Sequence, residues 1–150
     1  MPLTSALQIQ PFQPEDQAEV KALVVAGLVD HWGVLDPTRN PDLDQISASY
    51  AGATILVARR GGRILGTGAL LPRGSSVGEV VRMSVARDQR RHGIGRQILA
   101  RLLDQARAAG YHQVVLETTS TWDEVIEFYL QSGFHITHTA GEDTYFTLEL

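Results

Sequence analysis

Arg87-Asp88-Gln89-Arg90-Arg91-His92-Gly93-Ile94-Gly95-Arg96 is the stretch on which the reading of this 150-residue chain turns. Four of the 13 Lys and Arg residues fall in these ten positions. They stand at the start of the strongest helical pattern in the sequence. Ile94, Ile98, Leu99, Leu102, Leu103 and Ala106 recur at helical spacing between Gly93 and Ala109, and Gly110 suits the C-cap. The placement is electrostatically odd. A helix N-terminus carries about half a positive charge, so cations there are disfavoured by ~0.3–1 kcal/mol each. A bound anion would remove the conflict, because backbone N–H groups at a helix start already point at such an anion. Gly93 and Gly95 lack a Cβ and would let a phosphate approach the main chain. The stretch therefore reads as a diphosphate cradle. The alternative is a solvated basic loop; the glycine spacing after a valine-rich strand argues against it.

Two common phosphate motifs do not fit. A dinucleotide fingerprint needs a third glycine where Ile98 stands, and a P-loop needs a Gly-Lys-Ser/Thr ending that is absent. What remains is Arg90-x-x-Gly93-x-Gly95 after a strand.

Working outward, Val77 to Val85 is that strand and Val114 to Thr119 the one after the helix, a strand–helix–strand crossover. Upstream, Thr54 to Arg59 and Arg63 to Leu71 form a hairpin around Gly61-Gly62. Leu7 to Pro11 is a short first strand. Pro14-Glu15-Asp16 opens a helix with an apolar stripe of Val20, Leu23, Val24, Gly27 and Leu28. Asp30 to Asp44 reads mainly as loop, followed by a short helix through Leu43, Ile46 and Tyr50. Downstream come a helix from Asp123 to Ser132, ended by Gly133, and two closing strands, Phe134 to Thr139 and Thr144 to Leu150. The expected class is α/β, a mixed sheet flanked by about four helices in one domain, 1–150.

Composition narrows the function. Hydrophobic content of 43% and charged content of 20% are ordinary for a globular chain. A net charge of −4 disfavours a general nucleic-acid binder. The absence of cysteine excludes disulfides, thiolate zinc sites and a cysteine nucleophile, and fits a cytoplasmic protein. Met1 to Phe12 has no signal-peptide pattern, and no apolar run is long enough to span a membrane.

The loop, its strand and a later segment together resemble the GNAT superfamily of N-acetyltransferases. Arg90, Gly93 and Gly95 match its Arg/Gln-x-x-Gly-x-Gly/Ala pyrophosphate loop. Glu79-Val80-Val81-Arg82-Met83-Ser84-Val85 resembles the strand before that loop. Val114-Val115-Leu116-Glu117-Thr118-Thr119 followed by Phe128-Tyr129-Leu130-Gln131-Ser132-Gly133-Phe134 resembles its second segment. The strong part of the likeness spans Val77 to Phe134.

The resemblance implies a splayed central sheet and acetyl-CoA as co-substrate, with no metal. The strands carrying Met83 and Val115 would part at a bulge and admit the pantetheine arm. Backbone groups at Met83 and Val85 would pair with that arm, and the Met83 N–H would hold the acetyl carbonyl oxygen. Cofactor contacts are then expected from Met83, Ser84, Val85, Arg90, Arg91, His92, Gly93, Ile94, Gly95, Arg96, Trp122 and Tyr129. Trp122 stands where family members often carry Asn, so its indole either packs on the pantetheine or that contact is missing.

Direct transfer needs a proton acceptor, because an alkyl amine of pKa ~10.4 is mostly protonated at pH 7. It also needs a donor for the departing sulfur. Tyr129 is the expected donor; the other role open to it is a core tyrosine bonded to backbone. Glu79 is the leading base and Glu117, on the facing strand, the second; each could also be an exposed strand carboxylate. His135 and His138, three apart on a strand, should point to opposite faces and not share a metal. His31 and Trp32 should lie in the first loop, where they could line the acceptor site or take an ordinary packing role. Leu28 to Tyr50 would wall that site, and its Asp30, Asp36, Asp42 and Asp44 would either attract a cationic amine or form a solvated acidic loop. The acceptor could be a small molecule or a peptide. Dimers are common in the resembling family, so a homodimer is one partner it implies. Two rival functions stay open: a non-catalytic CoA-binding regulatory module, and a transferase of a longer acyl group.

Overall fold

Apolar runs and turn residues divide the described residues into eleven helices and strands. The structure is a computed structural model that describes residues 6–33 and 40–150. Strand β1 (Gln8–Pro11) leads through a turn at Pro14–Asp16 into helix α1 (Gln17–Trp32). After a turn at Pro41–Leu43 and helix α2 (Ile46–Ser49) come β2 (Thr54–Arg60), β3 (Arg63–Pro72) and β4 (Val77–Val85). Helix α3 (Ile94–Ala108), β5 (Gln113–Thr119) and α4 (Asp123–Gln131) follow, and β6 (His135–Ala140) and β7 (Asp143–Glu149) close the chain.

The strands form one sheet in the order β1-β2-β3-β4-β5-β7-β6. All neighbours are antiparallel except β4 and β5, which are parallel because α3 carries the chain across between them. Helices cover both faces of the sheet's middle. Ile94, Ile98, Leu99, Leu102, Leu103 and Ala106 of α3 pack with Val80, Leu116, Tyr129, Phe134 and Phe146 in one core. Val20 and Val24 of α1 join Leu43, Ile46, Val57 and Ile64 in a second. Residues 64–70 of β3 are buried without interruption, as expected for a strand covered on both sides. Gly68 makes the first core possible: a Cβ there would stand 2.3 Å from Met83 Sδ and 3.1 Å from Ile98 Cγ2.

The entry to α1 is fixed by a buried carboxylate. Asp16, 4% exposed, accepts from the Gln13 N–H at 3.0 Å and from Arg59 Nη2 at 2.7 Å. One side chain thus caps the helix entry and ties it to β2.

Contrary to the sequence reading, α1 runs on through Asp30, His31 and Trp32 and stops at Gly33, whose φ of +81° ends the helix. His31 and Trp32 are therefore the last turn of a helix, not a loop. Asp36 lies outside the described residues. A second correction concerns the histidines. β6 is bulged between Ile136 and His138, so His135 and His138 pair with Thr147 and Tyr145, two residues apart on β7. The extra residue brings both histidines to one face. Among the described residues, no helix is long and apolar enough to cross a membrane.

Candidate active site

The parallel ladder between β4 and β5 is short. It runs Val77–Gln113, Gly78–Val114 and Glu79–Val115, and no pair follows. Beyond Glu79 the strands part, earlier than the Met83 position suggested, and the β5-facing backbone edge of β4 lacks a strand partner. The bulge lies inside this stretch. Thr67 pairs with Ser84 and Ala69 with Val81, so β4 spends three residues where β3 spends two. Arg82, with φ of +54°, is the residue that absorbs the difference.

The cationic stretch sits at the wide end of this gap. Residues Arg87–Gln89 make one turn, anchored by Arg63, whose Nη1 and Nη2 donate to Asp88 at 3.0 and 2.8 Å. The paired guanidinium holds the Asp88 carboxyl far below the usual carboxylate range. Gly93 is the N-cap of α3 with φ of +82°, and the space its Cβ would fill is open. The helix start has no side-chain cap and no acidic residue in its first turn, so its amides lack a built-in partner.

Arg90, Arg91, His92 and Arg96 surround that start and are exposed. Arg90 Nε reaches the Val85 carbonyl at 3.2 Å, and its Nη2 lies 3.4 Å from Asp30. Arg91 lies 3.3 Å from Glu124. These long surface contacts hold the arginines weakly. An open glycine, uncapped amides and accessible guanidinium groups fit a diphosphate. A groove of about 450 Å³ between Pro11, Ser47, Thr54 and Gln105 has no cationic side chain in its lining.

The remaining expected residues take distinct places. Ile94 is 2% exposed, so only its backbone faces the cradle. Met83 packs its side chain toward Gly68 and the α3 core. Ser84 Oγ faces Gly27 of α1, on the opposite side of the sheet. Trp122 stacks on His31, with ring centroids 4.3 Å apart and planes at 28°; His31 Nε2 is also 3.2 Å from Thr121 Oγ1. The end of α1 thus touches both lips of the gap: Arg87 and Arg90 after β4, Thr121 and Trp122 after β5.

Tyr129 is 5% exposed and packs edge-on against Phe128 and Phe134. No hydrogen bond to its hydroxyl occurs among the described residues, and burial pushes the phenol well above its ordinary pKa. Glu79 pairs with Val115 at the closed end of the gap. Its Oε1 takes both hydrogen bonds from Arg73, leaving Oε2 without one among the described residues. Gly78 and Val80 face the α3 core, so Glu79 between them projects from the other face. Tyr129 and Glu79 thus stand on opposite sides of the sheet. Glu117 is exposed and stands opposite Tyr145 on β7, whose pKa it raises; Tyr145 in turn stacks on His138 at 4.5 Å.

Arg82 is the site residue that sequence reasoning passed over. Its one signal is a cation inside an otherwise valine-rich strand. Among the described residues, no group of three or more His, Asp or Glu is placed to hold a metal ion.

The chain is 42% identical over 93 residues to an IAA acetyltransferase of Azospirillum brasilense, covering 61% of each chain. The match spans less than two thirds of that relative, and 47% of a rat N-acetyltransferase, 8F1, that is 33% identical. Its fold matches an acetyltransferase of the GNAT family from Staphylococcus aureus with a TM-score of 0.87 at 17% identity, over 96% of this chain and 99% of that one. It also matches a PaiA N-acetyltransferase from Thermoplasma acidophilum, solved with coenzyme A, with a TM-score of 0.86 at 15% identity, over 97% and 99%. Residues 15–134 match the sequence pattern of the Acetyltransferase (GNAT) family, and the chain belongs to that family.

Proposed function

We propose that residues 1–150 form a single acetyl-CoA-dependent N-acetyltransferase domain, acting on a primary amine of a small molecule or peptide. The observation that carries this reading is the junction of two features. An uncapped, arginine-ringed helix start sits at the mouth of a gap whose one edge is an unpaired strand. A diphosphate at the first and an extended arm along the second is the shape of coenzyme A. Arg90, Arg91, His92 and Arg96, with the backbone of Gly93, Ile94 and Gly95, take the phosphates. The backbone of Met83, Ser84 and Val85 takes the arm, for which the Val85 carbonyl exchanges its Arg90 contact. Trp122, turned onto His31, lines the acceptor side of the mouth.

The chemistry follows from the two faces. The amine arrives from the α1–α2 side, the face from which Glu79 projects. Its excess proton passes to Glu79 Oε2, directly or through water, while Arg73 keeps that carboxylate in place. The neutral nitrogen attacks the acetyl carbonyl carbon, the Met83 N–H stabilises the oxyanion, and the nitrogen, now positively charged, releases its second proton to solvent. The C–S bond then breaks and the sulfur takes the Tyr129 hydroxyl proton, which solvent later restores. Burial keeps that phenol protonated, the form that can donate.

Free-thiol release from acetyl-CoA across an amine library tests the proposal. The expected result is saturable, amine-dependent thiol release with the acetylated amine as product. Tight CoA binding without turnover on any amine would replace it with the regulatory module, and turnover only with longer acyl donors would replace the acetyl group.

A further inference from the structure

Arg82 is one of two residues other than glycine with positive φ among the described residues. A side chain in that region is strained, and the bulge class that uses it normally places glycine there. Something must hold it. Arg82 Nε donates to Asp42 Oδ2 at 3.0 Å, and Nη2 donates to Asp42 Oδ1 at 2.7 Å and to Asn40 Oδ1 at 3.0 Å. The Tyr50 hydroxyl donates to the same Asp42 Oδ2 at 2.5 Å.

The Arg82 and Asp42 side chains are only 24% and 29% exposed, unlike the surface pair Lys21–Asp44. Burial pushes the Asp42 carboxyl up, and the Arg82 and Tyr50 contacts more than offset it, so Asp42 is held below the usual range. The void beside Arg82, Tyr50 and Ile46 measures about 10 Å³, room for one water at most. The fork therefore has little slack.

We propose that this Asp42–Arg82 fork is a brace that sets the Arg82–Met83 peptide plane, and with it the direction of the Met83 N–H. Arg82 is then a positioning residue for the oxyanion donor, and Asp42 links that donor to the acceptor-side segment between α1 and α2. The inference rests on the transferase reading and adds to it the device that orients its key amide.

Arg82→Gly separates strain from support. Glycine adopts φ near +54° freely, so the bulge stays allowed and the protein folds, while the brace is lost. Asp42→Ala removes the brace from the other end. Both variants should bind CoA as the wild type does and lose roughly 100-fold in kcat, the scale of one oxyanion donor. The double variant should be no slower than the worse single one, because the two residues act as a unit. Arg82→Lys, which keeps the charge without the fork, should recover only part of the loss.

A second readout needs no turnover. The chain has only two methionines, Met1 and Met83, so 15N-methionine labelling, assigned with Met83→Leu, reports the Met83 amide. Acetyl-CoA should shift that signal downfield in the wild type and not in Arg82→Gly or Asp42→Ala. Unchanged kcat in Arg82→Gly, or an unchanged Met83 response, overturns the brace. Wild-type protein that binds acetyl-CoA yet acetylates no amine overturns the transferase reading instead, and the Met83 signal still decides whether the fork orients the amide.

Discussion

Replacing Tyr129 with Phe removes a single oxygen from a site where that oxygen has no hydrogen-bond partner among the described residues. The ring stays, and with it the contacts to Phe128, Phe134 and Phe146 at centroid distances of 5.1 to 5.8 Å. The substitution breaks no hydrogen bond among the described residues, so the variant should unfold within about 1 kcal/mol of the wild type, on either side. Catalysis should respond in the opposite manner. A positioned proton donor is worth roughly 10²–10⁴ in rate, or about 2.7–5.5 kcal/mol of barrier. The expected result is a kcat lowered by at least ~100-fold at saturating acetyl-CoA, CoA affinity retained, and an unchanged melting curve. Thiol release measures the first, titration calorimetry the second and thermal unfolding the third. A variant with wild-type turnover refutes the donor role. One that loses several kcal/mol of stability shows that the hydroxyl serves the fold.

Two further outcomes follow from the packing. Because the folded state holds the Tyr129 phenol above its ordinary pKa of 10.0, the unfolded chain releases that proton first as pH rises. The stability from this burial is full below pH 10 and is lost as pH climbs toward the folded value. Melting temperature should therefore fall above pH 10 in the wild type and fall less in Tyr129→Phe; equal slopes would contradict it. Asp16→Ala leaves Arg59 half-buried without its partner and uncaps the entry to α1, so it should cost about 3 kcal/mol, a drop in Tm of roughly 6–12 °C. A loss under about 1 kcal/mol would show that this pair is no more than a surface contact.

The legible parts of the fold were those where local chemistry and tertiary packing agree. The α3 periodicity from Ile94 to Ala106 reports one face pressed on one sheet, and all six of its apolar positions are buried. The Gly61-Gly62 hairpin and the Val77–Val85 strand emerged with nearly their structural bounds, since turn chemistry and β-branched residues mark them directly. The end of α1 was misread because Asp30, His31 and Trp32 resemble the polar loop beyond them; the stop is set by the backbone of Gly33. The β6 bulge was invisible in the sequence, and the β4 bulge was expected only from the family resemblance, for a common reason. An inserted residue leaves composition unchanged and alters only which way later side chains point. That placed His135 and His138 on opposite faces in the sequence and on one face in the fold. The same blindness hid Arg82, whose importance lies in a φ angle and in Asp42, forty residues away.

The cradle itself was read from charge and glycine spacing alone, and everything proposed about transfer depends on it. Calorimetric titration of coenzyme A into the wild type and into the Arg90→Ala/Arg91→Ala double variant tests it most directly. Loss of charge-assisted phosphate contacts worth about 1.5–3 kcal/mol each should weaken binding by at least tenfold while the melting curve stays unchanged. No measurable heat from the wild type at millimolar coenzyme A, or equal affinity in the two proteins, would contradict the account.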